Sequence, residues 1–247
     1  MLKATINADI FRDTIDAISA LVNECRLHIT EHGISTVTVD TSNVAMVSLE
    51  LNSDAFLEYS ADTTEIGLDI EKVRTIMSLI GRTDTVCLEL DDVSKKLKLS
   101  FGGYEYSITL LDTKTIRKDP NTPNLDLPTS FEMSGVLFND AIKASAMISD
   151  KISLSVNPDT KIFTMNAEGD NDKITREIHG DDIKYISCNA SRSLFSLDYL
   201  KDMGKIIGKS DSVQIRLGTD HPVQFSFVYA DNQGKIDYLL APRIEAD

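Results

Sequence analysis

The chain has 247 residues, 42% of them apolar, which is enough for two domains with separate cores and too apolar for a disordered chain. No run of 18 uncharged apolar residues occurs, Met1–Ile6 has no secretory hydrophobic region, and Cys25, Cys87 and Cys188 are too far apart for a disulfide framework or zinc site. These features exclude a membrane-spanning helix and fit a reducing intracellular compartment. The net charge of −14 argues at face value against nucleic acid, whose phosphates call for Lys and Arg, but it leaves room for a local basic face.

In chain order, a short strand at 2–6 leads into a helix from about Asp9, read as its N-cap, to Val22. Phe11, Ile15, Ile18 and Val22 lie on one apolar face of that helix. Alternating stretches at 26–30, 34–39, 44–51, 56–60 and 65–68 read as strands. Asp69 is placed to cap a second helix to about Ile80, and strands at 85–90, 96–101 and 104–110 follow, the last two joined by Gly102-Gly103. Between Asp119 and Pro128, three prolines favour an extended connection, read as the domain boundary. The same order then returns: a strand at 131–134, a helix at about 137–148, and strands at 152–156, 162–167, 173–179, 183–188 and 193–197. A helix capped by Asp198 and strands at 213–217, 223–229 and 235–240 complete it.

The clearest sign of duplication is a segment that recurs about half a chain later. Ile80-Gly81-Arg82-Thr83-Asp84-Thr85-Val86 corresponds to Ile207-Gly208-Lys209-Ser210-Asp211-Ser212-Val213, and the two glycines read as helix C-caps. The expected fold class is α+β, with two tandem copies of a β-α-β5-α-β3 domain and helices on one face of antiparallel sheets. Expected boundaries are 1–117 for the first domain, 118–129 for the connector and 130–247 for the second.

Motifs for catalysis are missing. In Gly204-Lys205-Ile206-Ile207-Gly208-Lys209-Ser210 the glycines are separated by three residues where a phosphate-binding loop needs four. The segment also follows a helix instead of opening one. His28 and His32 fall on a strand and turn, without helical metal-ligand spacing. Neither an enzyme nor a cofactor or metal is expected. The cations carry more information: Lys201, Lys205 and Lys209 stand at i, i+4 and i+8, the repeat pairs Arg74 with Lys201 and Arg82 with Lys209, and Arg12 and Lys143 project from the other two helices.

Three stretches then carry a resemblance along the whole chain. They are Gly33–Val47, with its Asp40-Thr41-Ser42-Asn43 loop; the proline-bearing connector ending Leu125-Asp126-Leu127-Pro128; and the terminus Tyr238-Leu239-Leu240-Ala241-Pro242-Arg243-Ile244-Glu245. The chain resembles the sliding clamps of the proliferating cell nuclear antigen (PCNA) family, of archaeal type.

The resemblance implies a DNA polymerase processivity factor, a homotrimeric ring around double-stranded DNA that binds without sequence preference. Helices packed roughly 9 Å apart give twelve of them a bore of about 25 Å, and eight only about 13 Å, so three chains fit a duplex and two do not. Arg12, Arg74, Arg82, Lys143, Lys201, Lys205 and Lys209 would face DNA. Asp13, Ser19, Thr75 and Ser78 stand where family members often carry Lys, which thins that lining.

Val39, Asn43, Val44, Met46, Ile116, Leu125, Leu127, Pro222, Ala241, Pro242, Arg243 and Ile244 would form a groove for peptides of DNA polymerase, flap endonuclease, DNA ligase and the clamp loader. Tyr104, Tyr106, Ile108 and Leu110 on one edge, and Lys173, Thr175, Glu177 and Ile178 on another, would join neighbouring subunits. The resemblance places the protein in the cytoplasm, at the nucleoid in an archaeon, or in a eukaryotic nucleus, with no membrane partner. The alternatives are a subunit of a heteromeric checkpoint-type clamp, and a duplicated-domain enzyme with a junction site for which no converging titratable residues are found.

Overall fold

The computed structural model describes residues 1–81, 83–91 and 93–244. Among them the chain runs β1 (Leu2–Asn7), α1 (Ala8–Ser19), β2 (Glu24–Thr30), β3 (Gly33–Val39), β4 (Ala45–Asn52), β5 (Glu58–Ala61), β6 (Thr64–Asp69), α2 (Ile70–Met77), β7 (Thr85–Asp91), β8 (Lys96–Phe101) and β9 (Tyr104–Thr109). It repeats as β10 (Thr129–Met133), α3 (Gly135–Ser145), β11 (Lys151–Asn157), β12 (Ile162–Glu168), β13 (Lys173–Ile178), β14 (Ile183–Ser187), β15 (Ser191–Ser196), α4 (Leu197–Ile207), β16 (Val213–Leu217), β17 (Val223–Tyr229) and β18 (Gly234–Leu240). This is β-α-β5-α-β3 twice.

Two compact units result: unit 1 comprises Met1–Thr41, Val47–Asn121 and Val228–Ile236, and unit 2 comprises Ser42–Met46, Thr122–Phe227 and Asp237–Asp247. In unit 1 the strands run antiparallel in the order β5-β1-β7-β8-β9, with β3-β2-β6 as a second run. Unit 2 repeats this as β14-β10-β16-β17 and β13-β12-β11-β15. Alternation decides which side chains enter the core: in β7, Val86, Leu88 and Leu90 are buried while Thr85, Cys87 and Glu89 are exposed. The β8–β9 turn uses Gly102 and Gly103 at φ 52° and 83°, as a tight hairpin requires.

The helices begin earlier than their carboxylates suggest, because strands run directly into them. Asn7 ends β1 and stands at the N-cap of α1, and Ser196 ends β15 and stands at the N-cap of α4. Asp9 and Asp198 therefore lie in the first helical turn, where they still face the positive end of the helix dipole. Asp69 does cap α2, accepting from Lys72 N at 2.9 Å.

One repeat position ends each helix pair. Arg12 of α1 donates to Ile80 O (2.7 Å) and Met77 O (3.4 Å), satisfying carbonyls at the C-terminal end of α2. Its counterpart in the second copy is Asn139 of α3, whose amide, in the orientation assigned from its neighbours, donates to Gly204 O (3.1 Å), the counterpart of Met77.

The two glycines expected as helix C-caps divide. Gly208 does stand at the C-cap of α4, in a right-handed conformation (φ −64°), and a Cβ on it would fall 2.6 Å from the Asn139 amide. Gly81 lies beyond the α2 cap at Ser78 and donates to Asp84 Oδ2 at 2.9 Å. Close approach of α3 to α4, not a positive φ, requires glycine at 208.

The core of unit 2 is aromatic, with Phe131 against Phe163 (4.7 Å between ring centres) and Phe138 against Phe225 (5.1 Å). In unit 1 the Cys25 thiol is fully buried, and burial pushes its pKa up to about 12, so it is held as an inert thiol. Cys87 is exposed.

Gly135, the first residue of α3, lies very close to its neighbour, since a Cβ there would sit 2.1 Å from Ile207 O. Gly135→Ala is expected to destabilise the chain by about 1–3 kcal/mol through overpacking, measured as a lower urea midpoint with an unchanged slope.

Candidate nucleic-acid and partner interfaces

The expected DNA-facing cations sit on or just after the helices, and carboxylates stand beside most of them. On α1, Arg12 is only 24% exposed and bonds Asp9 at 2.9 Å while it caps α2, so its guanidinium is already committed. Arg74 on α2 lies 3.6 Å from Asp16. In unit 2, Lys143 pairs with Asp140 (3.4 Å), Lys201 with Asp198 (3.1 Å) and Lys205 with Asp202 (2.8 Å). Lys209 follows α4 and is exposed. Arg82, like Glu245 of the terminal motif, lies outside the described residues.

The expected groove residues divide by burial. Ile116, Met46 and Leu127 are buried at 5%, 8% and 4%, so they act mainly as internal anchors. Val39, Val44, Leu125, Pro222, Ala241 and Pro242 are half-buried, and Asn43 (φ 59°), Arg243 and Ile244 are exposed. Within unit 2 the tail is drawn to the loop by Ala241 N donating to Val44 O at 2.8 Å. Leu127 packs over Gly218, where a Cβ would lie 3.4 Å from it. Arg243 is tied down, its N–H to Leu194 O (2.7 Å) and its guanidinium to Asp150 (2.7 Å).

Sequence reasoning missed what holds the connector. In unit 1 Arg26 donates to Ile116 O (2.8 Å), Arg117 to Asp40 O (3.1 Å), and His28 Nε2 meets Asp119 Oδ2 at 2.5 Å. Leu111 N also donates to Gly67 O (2.9 Å), and a Cβ on Gly67 would clash with Leu111 O at 2.5 Å. In unit 2 Arg216 reaches Leu125 O (3.4 Å) and Asn189 reaches Pro128 O (2.6 Å). These tethers fall on residues 116–119 and 125–128, on either side of the Pro120–Asn124 stretch. The alternation of β2 could have pointed to Arg26 and His28, which share one face, but not to their targets.

The expected subunit edges are also mixed. β9 and β13 each end a strand run. Tyr104 (64% exposed), Tyr106, Lys173, Thr175 and Glu177 face outward or sit half-buried, while Ile108 and Ile178 are buried at 2% each. Leu110 falls past the end of β9 and bonds Lys95 O at 3.0 Å. Beside β13 lies a cavity of about 330 Å³ lined by Leu137, Ala141, Ala144 and Ile174 together with Asp140, Ser145, Thr175 and Arg176. Two other edges are covered, β6 by Leu111 and β15 by Arg243. Asn52 N meets Gln233 O (2.8 Å) within unit 1, and Ala241 N meets Val44 O within unit 2.

The pattern of the proliferating cell nuclear antigen N-terminal domain matches residues 1–118, and that of the C-terminal domain matches residues 121–243. The chain belongs to the PCNA family. It is 73% identical to a DNA polymerase sliding clamp of Methanocorpusculum labreanum and 56% identical to one of Methanoculleus marisnigri, over 247 residues and the full length of each chain. The solved structure of A. fulgidus PCNA with the C-terminal region of FEN-1 bound superimposes with a TM-score of 0.93 at 35% identity, covering all of both chains. Sliding clamps of this family are non-catalytic processivity factors that partner with DNA and replication enzymes. Among the described residues no helix is long and apolar enough to cross a membrane.

The tethers can be tested in solution. Removing the His28 and Arg26 contacts together (His28→Ala, Arg26→Ala) is expected to speed amide exchange at 117–119 by about tenfold or more, read by mass spectrometry. At the tail, the Arg243 hydrogen bond holds the Asp150 carboxyl below its usual range. A depressed carboxylate contributes above its unfolded pKa and is lost as pH falls through the folded one. The Arg243 amide should therefore stay protected from neutral pH down to about 4 and become exchangeable only below that.

Proposed function

We propose that three copies of the chain close head to tail into a ring that encircles and slides on duplex DNA and tethers replication and repair enzymes. The observation that carries this reading is that β9 and β13 each end a strand run, with an outer edge that no described strand pairs. By the internal repeat, β9 corresponds to β18 and β13 to β4, so the two open edges are matching ends of a duplicated unit. Pairing these edges between copies joins β9 of one to β13 of the next, and a heterologous contact of this kind closes a ring when its rotation divides a full turn. The cavity beside β13, part apolar and part polar, would receive an aromatic side chain of the neighbour, with Tyr104 the exposed candidate. Helix spacing favours twelve helices, hence three chains, around a duplex.

Residues 118–129 would then be the connector between domains 1–117 and 130–247. The half-buried Val39, Val44, Leu125, Pro222, Ala241 and Pro242, with exposed Asn43 and Ile244, would line the peptide groove over the buried Ile116, Met46 and Leu127. Arg243 would serve the groove through its backbone, because its side chain is held by Asp150. The FEN-1 segment bound to the A. fulgidus relative supports a flap endonuclease peptide as one occupant; polymerase, ligase and clamp-loader peptides are the others. For an archaeal-type clamp the place of action is the nucleoid.

Light scattering of the purified chain is expected to give three times the single-chain mass of 27.3 kDa. The double reversal Arg176→Glu, Glu177→Lys on β13 should reduce this to the monomer mass. An unchanged trimer mass would overturn the β13 assignment, and a wild-type chain that remains at the monomer mass would favour the heteromeric clamp instead.

A further inference from the structure

The four helices are the elements expected to meet DNA, yet they are not a basic island. Their sequences hold seven acidic residues (Asp9, Asp13, Asp16, Glu71, Asp140, Asp198, Asp202) against six basic ones (Arg12, Lys72, Arg74, Lys143, Lys201, Lys205), a net charge of −1. The arrangement is regular as well. Asp9–Arg12, Asp69–Lys72, Asp140–Lys143, Asp198–Lys201 and Asp202–Lys205 are all i,i+3 pairs, each carboxylate one turn ahead of its cation. In unit 2 the three lysines remain 45–66% exposed, so they are accessible to a polyanion while already neutralised.

We propose that Asp140, Asp198 and Asp202 are built-in counter-charges that set how weakly the helices of unit 2 hold the duplex. A phosphate approaching Lys143, Lys201 or Lys205 must displace or share the cation with a carboxylate that itself repels it. Little counterion release then accompanies each contact, and the salt dependence that normally marks Lys–phosphate binding is blunted. Such contacts exchange at little cost as the duplex moves. A ring retained by topology needs no more than this, whereas unpaired lysines at the same positions would grip successive phosphates and slow sliding. The inference rests on the proposed passage of DNA past these helices.

The test uses the full-length chain with Asp140→Asn, Asp198→Asn and Asp202→Asn combined, and with Asp202→Asn alone, which leaves the helix starts untouched. The control carries the same charge change away from the helices, as Asp159→Asn, Asp170→Asn and Asp172→Asn in turns. Binding to a linear 40-base-pair duplex is followed by fluorescence anisotropy between 50 and 300 mM KCl, with trimer mass measured alongside. The helix triple is expected to bind about tenfold or more tightly at the lowest salt and to steepen the log–log salt slope by roughly 0.9 per phosphate newly neutralised. Asp202→Asn should give a smaller change of the same sign, and the control little change. Equal gains by control and helix variants, or no gain by the helix variants, would overturn the proposal. Loading of the wild type on a primed circular template separates the two readings. Processive synthesis there, with no gain in the helix variants, leaves the clamp standing and removes only the counter-charge role, whereas a wild type that gives no processivity removes both.

Discussion

The hydrogen-bond demand of strand edges organises this molecule. A strand that ends a sheet exposes a row of N–H and C=O groups, and each such row must be paired, covered or kept polar. β6 is covered by Leu111 and β15 by Arg243. The covering residues follow closely on β9 and β18, so the segment after β9 and the C-terminal tail have the same task in the two units. Gly67 shows how tight that cover is, since even a methyl group would strike the Leu111 carbonyl. Among the described strands β9 and β13 end their runs with an open edge, as β5 and β14 also do, and the proposed assembly pairs the first two between chains.

The helices show a second economy of the duplication. Position 12 and position 139 solve one problem, the unsatisfied carbonyls at the end of a neighbouring helix, with different chemistry. The first copy uses a guanidinium and the second an amide, in a contact so close that a Cβ on Gly135, Gly204 or Gly208 would crowd the facing helix. The cost of the first solution is that Arg12 ceases to be a free cation. Arg74, Lys143, Lys201 and Lys205 are each balanced by an acid as well, so a chain of charge −14 does not conceal a strongly basic helical layer.

The fold was largely readable from sequence because its signals are local. Alternation marked β7, the apolar face of Phe11, Ile15 and Ile18 marked α1, and Gly102-Gly103 marked the β8–β9 turn. The constant offset between the copies made each half a check on the other. The errors were local too. Asp9 and Asp198 looked like caps because cap preference does not reveal that a strand runs without a loop into the helix. Gly81 looked like a C-cap because its copy, Gly208, is one, yet α2 is capped earlier, at Ser78.

The sequence by itself determined the element order, the duplication and the family, since all three are carried by periodicity, turn residues and motifs along the chain. Only the tertiary structure decided that Arg12 is a cap, that Ile116 and Leu127 anchor the connector from within, and that Arg26 and His28 hold its first residues. These are contacts between side chains and backbone atoms tens of residues apart, Arg26 to Ile116 and Arg12 to Ile80 among them. Their partners are chosen by the packing of sheets and helices, and no spacing along the chain encodes that choice.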